Sequence, residues 1–375
     1  IKECDWSSDV CSSDLLTVKI MKALLEYFGI FKEPIVGVDI SSSSVKVMYL
    51  EQRGEEIHLI DYGIEKIYTD ITPKNRVETL SEALKRALEK TTIQSQLVAM
   101  AVSSSQSFTK IIQFDAELSD KEVGEELQLE ADRYIPYPLE EVMLDYQILG
   151  PSAKNPALND VLLAVSKSDK VAETLEVIEK AGLKPIIVDI DSFAKERAFS
   201  LVSDQLLDHG KNKTVALVDI GGSNTTMDVF HNFRIVYSRG QNFGGRQLID
   251  EIQGRYGLSL DETILALEYG GLPEDYNVEV LEPFKQTIAQ QISRACQFFF
   301  SAEDYSQIDY LFITGGVSDI PGLDKIIENM VSIKTAVANP FNHMILSEHV
   351  DEDRLVKDAP TLLSGCGLAM RNVMK

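Results

Sequence analysis

Two stretches of the chain repeat one pattern of apolar and polar positions. Ile35 to Ile40 is a β-branched run interrupted by Asp39, after which Ser41, Ser42, Ser43 and Ser44 lead into a second alternating run that carries Lys46. Val215 to Ile220 does the same around Asp219, passes through Gly221, Gly222, Ser223 and Asn224, and resumes at Thr225. Apolar runs on either side of a short polar connection predict a pair of strands joined as a hairpin. Repetition of the whole unit predicts two related lobes.

Between the hairpins, Val123, Leu127, Ala131 and Tyr134 fall on one helical face, and Ser119 with Glu122 forms a capping box, so 119–134 predicts a helix. Pro136 and Pro138 stop it. A strand around Val161–Val165 leads to a helix from Ser168, with Val171, Leu175 and Ile178 on one side and Gly182 as its stop. Together these predict a compact α+β unit inserted in the first lobe. After the second hairpin, Gly244 and Gly245 precede helical stretches over 246–256 and 261–269. A longer helix is predicted from Pro283, with Phe284, Ile288, Ile292, Ala295 and Phe299 inward, and it delivers the chain to a strand, Ile308–Thr314, that ends at Gly315 and Gly316.

Composition narrows the function. A chain of 375 residues, 44% of them hydrophobic, can bury more than one core. With 36 basic against 59 acidic residues, its formal charge of −23 repels phosphate backbones and argues against nucleic acid as a general partner. The 4 cysteines and 5 histidines have no metal-ligand or disulfide spacing. Lys19, Lys22 and Glu26 interrupt the apolar segment from Leu15 to Phe31, so no spanning helix is expected. The Ser-Ser-Asp at 7–9 returns at 12–14, which reads as a translated adapter or vector scar and makes residues 1–20 a non-native leader ahead of Met21.

Phosphate binding needs close backbone N–H groups, hydroxyl donors, and carboxylates that hold hydrated Mg²⁺. Asp39 with Ser41 to Ser44 and Lys46 offers one such set; Asp219 with Gly221, Gly222, Ser223, Asn224 and Thr225 offers the other. One hairpin alone reads more readily as a polar turn, and its repetition, followed by a strand ending in Gly315 and Gly316, decides for chemistry. Gly315 and Gly316 let backbone approach a flat nucleoside. There is no GxxxxGK, and the glycines at 365 and 367 are followed by Met370 where a third would be needed, so P-loop and dinucleotide readings fail. Asp191 is the candidate to orient water for hydrolysis, with a solvated strand-end acid as the bland reading.

Asp39-Ile-Ser-Ser-Ser-Ser-Val-Lys46, Asp219-Ile-Gly-Gly-Ser-Asn-Thr225 and Thr314-Gly-Gly-Val-Ser318 resemble, in order, the two phosphate motifs and the adenosine motif of the superfamily of actin, heat-shock chaperones and sugar kinases. Tyr134-Ile-Pro-Tyr-Pro-Leu-Glu-Glu-Val142, Leu144-Asp-Tyr146, Val188-Asp-Ile-Asp-Ser-Phe-Ala194 and Cys366-Gly-Leu-Ala-Met-Arg371 narrow the resemblance to the PilM family of type IV pilus assembly proteins, over nearly all of 21–375.

The resemblance implies an α/β, two-lobed actin-like ATPase fold with an FtsA-like 1C subdomain. Its first lobe would span 21–110, 184–205 and 350–375, the inserted subdomain 111–183, and the second lobe 206–349. It implies ATP with Mg²⁺ held through water by Asp39 and Asp219, Gly244 and Gly245 beside the phosphates, and Gly315, Gly316 and Val317 beside the nucleoside. Catalysis would fall to Asp39, Asp219 and Asp191, at most as a slow Mg-dependent ATPase. The implied partner is the N-terminal cytoplasmic peptide of a PilN-like inner-membrane protein, held by Tyr134, Ile135, Pro136 and Pro138 in a groove between the inserted subdomain and the first lobe. The implied setting is the pilus assembly complex at the cytoplasmic side of the inner membrane, with self-association open. Three positions depart from the wider pattern: Ser41 replaces a common Gly, Asp191 a common Glu, and no Lys, Arg or His lies between Tyr256 and Phe284, where relatives often have a Lys. The competing readings are an FtsA-like filament-forming membrane adaptor, which expects an amphipathic tether, and a small-metabolite kinase, which expects a base and an acceptor pocket.

Overall fold

The computed structural model describes residues 34–67, 71–152, 154–303 and 305–373, save the side chains of Leu207 and Asp208. The expected leader, the start at Met21 and the segment up to Phe31 lie outside the described residues.

The first hairpin forms where its pattern predicts. β1 (Val36–Ile40) and β2 (Ser44–Arg53) pair antiparallel with Asp39 opposite Lys46, and β3 (Glu56–Lys66) continues the meander. α1 (Arg76–Glu89) crosses over to β4 (Leu97–Val102), which lies parallel to β1. A parallel neighbour requires such a crossover, and α1 covers it by burying Leu80, Ala83, Leu84 and Ala87. The chain then leaves this sheet. β5 (Ser107–Asp115), α2 (Asp120–Tyr134), β6 (Val142–Pro151) and β7 (Leu158–Lys167) build a separate antiparallel sheet, ordered β5-β7-β6, with Val123, Leu127 and Ala131 of α2 in its core. α3 (Ser168–Lys180) leads back to β8 (Lys184–Ile190), parallel to β4, and α4 (Asp191–Ser203) follows at once.

The second half repeats the first. β9 (Thr214–Ile220), β10 (Thr225–His231) and β11 (Arg234–Gln241) form a meander. α5 (Gly245–Tyr256), α6 (Leu260–Tyr269) and α7 (Glu282–Ala302) lead to β12 (Tyr310–Thr314), parallel to β9, and α8 (Leu323–Val331) leads to β13 (Lys334–Val337). β14 (Ile345–Leu346) joins the edge of the first sheet beside β3, and α9 (Glu352–Asp358) and α10 (Leu363–Ala369) complete the chain. The large sheets are ordered β14-β3-β2-β1-β4-β8 and β11-β10-β9-β12-β13. Without β14, each is an antiparallel meander continued by parallel strands in the same order.

α4 and α10 belong to an apolar core shared by the two large sheets. Phe199 of α4 stacks on Phe230 of β10 at 4.1 Å, in a cluster that includes Met48 and Leu50 of the first sheet and Leu217 and Phe312 of the second. Each large side chain so buried contributes about 1.5–3 kcal/mol. Glycine lets α10 approach: a Cβ on Gly37 would lie 2.5 Å from the Ala369 nitrogen, and one on Gly367 would lie 1.8 Å from the Ala194 oxygen.

Some expected boundaries move. The helix expected in the inserted unit, α3, buries Val177 and Ile178 in the core of β1, β4 and α1, because its apolar stripe faces that sheet. The first sheet is rejoined at Ile345, ahead of residue 350, and a π-helical turn, Asn277–Leu281, precedes the helix expected at Pro283. The strand expected from Ile308 begins at Tyr310.

Candidate functional site

The predicted loops converge. A Cβ on Gly222, in the second hairpin, would lie 3.0 Å from the Ser43 Cβ and 3.2 Å from the Ser42 Oγ, so the two turns face each other across a narrow gap. The Gly245 and Arg246 N–H groups donate to the Gly221 and Gly222 carbonyls at 3.0 and 2.7 Å, which pins the start of α5 to the second turn. Side chains have no room there: a Cβ on Gly244 would meet the Gly221 oxygen at 2.4 Å. The Thr225 hydroxyl closes the same corner by donating to the Phe243 carbonyl at 2.7 Å.

β12 brings the third motif alongside. Thr314 is in register with Asp219, and the Val317 N–H donates to the Ile220 carbonyl at 3.2 Å. Gly315 has φ +89°, and a Cβ there would lie 2.5 Å from the Ile220 oxygen and 2.6 Å from Asp219 Oδ1. A Cβ on Gly316 would meet nothing within 4 Å. The glycine pair thus has one member wedged against the carboxylate hairpin and one bordering open space.

The first turn divides its serines. The Ser41 Oγ donates to the Ser44 carbonyl at 2.9 Å and accepts from the Ser44 N–H at 3.1 Å, so that hydroxyl shapes the turn, while Ser42 and Ser43 remain exposed. Ser44 is buried and its Oγ lies 3.2 Å from the Ser41 Oγ. As donors for a ligand, Ser42 and Ser43 are the available pair, and Ser41 and Ser44 are structural. The Lys46 Nζ lies 2.8 Å from Asp39 Oδ2, a cross-strand ion pair set by the hairpin register.

Beneath Asp219 lies a cation that the sequence pattern did not reveal. Lys195 of α4 has 1% of its side chain exposed, and its Nζ lies 3.0 Å from Asp228 Oδ2 and 3.7 Å from Asp219 Oδ2. Ser238 donates to the other Asp228 oxygen at 2.6 Å. Burial alone lowers the Lys195 pKa, yet the charges of Asp228, Asp191 and Asp219 outweigh it and hold the ammonium above its ordinary value. Burial raises the Asp219 carboxyl, with Lys195 and Lys46 pulling the other way. The available signals were the i,i+4 spacing of Asp191 and Lys195 and a charged residue at an inward position of β10.

Asp191 is the first residue of α4, and its Oδ1 accepts the Ser104 N–H at 2.9 Å. That carboxylate therefore ties β4's exit to α4. Among the described residues no group of three or more acidic, His or Cys side chains is arranged to hold a metal. The predicted pair, Asp39 and Asp219, each carry an ammonium partner, so Mg²⁺ would fit here through water and phosphate oxygens rather than in an all-protein cage.

The expected peptide ledge is only partly a surface. Ile135 is 5% exposed and belongs to the core of the β5-β7-β6 unit, so it is withdrawn from the set. Its position as the cap of α2, where the N–H donates to the Ala131 carbonyl at 2.9 Å, turns the side chain inward with that helix's stripe. Tyr134 is partly buried against Phe114, with its hydroxyl on Glu130 at 3.1 Å. Pro136 and Pro138 are exposed, and so are Tyr137 and Leu139, which the sequence reading passed over.

The family profile described as "Type IV pilus assembly protein PilM" matches residues 37–373, a span that holds every loop of this site. The chain belongs to the PilM family. PilM-family membership is joined by similarity to cell division protein FtsA: 24% identity over 353 residues in Enterococcus hirae, spanning 81% of this chain and 78% of that protein. The FtsA of Enterococcus faecalis is 23% identical over 362 residues, spanning 84% of this chain and 80% of the relative. Among solved structures, one of a PilM–PilN type IV pilus biogenesis complex superposes with a TM-score of 0.75 at 21% identity, covering 91% of this chain and 99% of the other. Ethanolamine utilization protein EutJ from Carboxydothermus hydrogenoformans gives 0.53 at 13% identity, covering 91% and 90%. The fold is the two-lobed actin-like α/β architecture that the resemblance implies, and the repeated hairpins are its two similar sheets.

Proposed function

We propose that this PilM-family protein is a nucleotide-binding adaptor of the type IV pilus assembly platform, which binds Mg-ATP between its two large sheets and the N-terminal peptide of a PilN-like protein beside the β5-β7-β6 unit. The observation that carries the nucleotide half is the meeting of three separate glycine-bearing loops along the turn that Asp219 begins: Gly315 against Asp219 and Ile220, Gly244 against Gly221 and Gly222, and Gly222 against Ser42 and Ser43. Gly222 and Ser223, at the tip of the second turn, supply N–H groups for phosphates, Ser42 and Ser43 supply hydroxyls, and Gly316 with Val317 borders the nucleoside. Mg²⁺ would be held through water by Asp39 and Asp219 and would supply charge neutralisation at the phosphates.

Support for the peptide half is family membership together with the exposed ledge of Pro136, Tyr137, Pro138 and Leu139. Rigid prolines beside an aromatic ring suit an extended peptide, whose ordering cost they reduce on the receiving side. On this reading the lobes are the two large sheets, the inserted subdomain is the three-stranded unit, and the protein works at the cytoplasmic face of the inner membrane through its partner. Among the described residues no helix is long and apolar enough to cross a membrane. The adaptor role requires binding rather than turnover.

A specific cavity favours one competing reading. A half-open pocket of about 200 Å³ is lined by Ser104, Ser107, Thr109, Ser192, Thr226 and Ser238 among others, a hydroxyl-rich lining suited to a polar acceptor.

Calorimetric titration of the full chain with Mg-ATP, and separately with the N-terminal peptide of a PilN-like protein, tests both halves. Saturable binding of each ligand is expected. Failure of either in the folded protein removes that half, and phosphoryl transfer to a small polyol would move the assignment to a kinase.

A further inference from the structure

An ammonium group in an apolar core is expensive, and the desolvation of one ion exceeds what a single imperfect contact returns. Lys195 is nevertheless inside the core, on a helix whose neighbouring residue Ala194 packs on Ala99 of β4 and Leu368 of α10. Its Nζ reaches Asp228 of β10 and Asp219 at the end of β9, both in the second sheet. Asp228 is wholly buried and is fixed from its other side by Ser238. Asp219, by contrast, has 30% of its side chain exposed and stands where the second phosphate turn begins. The carboxylate that faces the cleft therefore has Gly315 backbone close on one side and a permanent internal cation on another.

We propose that Lys195 is a specificity-determining residue of the nucleotide site: shared between Asp228 and Asp219, it cancels one of their two negative charges from within the core, so that nucleotide phosphates meet less repulsion at the second hairpin when no divalent cation is bound. The proposal rests on the nucleotide reading above. Its physical basis is the poor screening between charges in a buried setting, where one added or removed unit charge near a phosphate changes affinity by at least tenfold. Lys195 touches no ligand itself, being shielded by Asp219 and the core, so it acts through that carboxylate. Asp228 is the counter-charge that retains the ammonium.

The decisive comparison is ADP affinity measured by calorimetry in EDTA and again in excess Mg²⁺, for wild type, Lys195→Met and Asp228→Asn. Lys195→Met leaves an extra uncompensated negative charge beneath Asp219. Metal-free ADP should bind it about tenfold or more weakly, while Mg-ADP, which brings its own cation, weakens by a few-fold at most. Asp228→Asn keeps Lys195 paired with Asp219 and removes a negative charge, so metal-free ADP should bind more tightly than to wild type. The ratio of the two affinities thus moves in opposite directions in the two variants. A merely structural Lys195 would weaken both forms alike, leaving the ratio unchanged in both variants, and that result overturns the proposal while the nucleotide reading stands. If Lys195→Met does not fold, the direction of change in the near-isosteric Asp228→Asn decides alone. Wild type that binds ADP in neither condition overturns the nucleotide reading and this proposal together.

Discussion

Gly315 and Ile135 illustrate how a single residue's surroundings set what its substitution does. Gly315 combines φ +89° with a Cβ direction that runs into the Ile220 carbonyl and Asp219 Oδ1, so Gly315→Ala must displace backbone at the junction of β9 and β12. We expect a loss of about 1–3 kcal/mol in stability, read as a lower melting temperature, and a loss of nucleotide binding that exceeds it because Asp219 moves. Nucleotide affinity kept at the wild-type value would mean that this junction does not border the ligand. Ile135 was expected to touch the peptide, but it lies among Val123, Leu127 and Ala131. Ile135→Asp puts an unpaired carboxylate in that core and should destabilise the β5-β7-β6 unit by several kcal/mol, so any peptide loss is secondary. Tyr137→Ala, at an exposed ring, should leave melting within about 0.5 kcal/mol of wild type and weaken peptide binding. The opposite ordering, a destabilised Tyr137→Ala and a well-folded Ile135→Asp, would reverse the assignment of core and ledge.

At the scale of elements, α2 offers the cleanest test, because its start was legible in the sequence and is closed as expected. Ser119 Oγ accepts the Glu122 N–H, and the Glu122 carboxylate accepts from both the Ser119 hydroxyl and N–H. Ser119→Ala should cost about 1 kcal/mol at neutral pH. The hydrogen bonds from the Ser119 hydroxyl and N–H hold the Glu122 carboxyl below its usual value. A depressed folded value means that this stabilisation is full above the unfolded pKa of about 4.3 and is lost as pH falls through the folded value. The gap in melting temperature between wild type and Ser119→Ala should therefore narrow, without closing, as pH falls below the unfolded pKa and through the lower folded value, because the Ser119 Oγ still accepts the Glu122 N–H; a constant gap would show that the Glu122 carboxylate adds nothing. Capping residues and hairpin turns were legible because their chemistry is local. α4 was not: it buries Ser192, Ala194, Lys195, Ala198, Phe199 and Val202, so it lacks the single apolar stripe that marks a helix. Lys195 was missed for that reason, since a lysine reads as a solvent-facing residue until the partner carboxylates are seen. β4 and β8 are short parallel strands, whose apolar runs carry little period, and only the tertiary pairing distinguishes them.

Across the whole molecule, the proposed nucleotide cleft and the proposed peptide ledge belong to different sheets, and whatever couples them must pass through the elements between. β4 pairs with β8, β8 runs directly into α4, and α4 carries Asp191, which holds the backbone where β4 turns toward β5. The same helix carries Lys195, which is ion-paired with Asp228 of the second sheet. A change in the separation of the large sheets therefore pulls on a helix whose first residue anchors the entry to the three-stranded unit. Linkage gives this arrangement a quantitative consequence: if Mg-ATP changes peptide affinity by some factor, saturating peptide must change Mg-ATP affinity by the same factor. A coupling of about 1–3 kcal/mol, roughly 5- to 150-fold, is the range expected for such a device. Two calorimetric titrations, peptide with and without Mg-ATP and Mg-ATP with and without peptide, measure the factor from both directions. Equal factors different from unity would make the protein a nucleotide-gated adaptor. Unaltered affinities on both sides, with each ligand still binding, would make the cleft and the ledge independent sites on one scaffold, and nucleotide would then act on the pilus machinery by some route other than peptide capture.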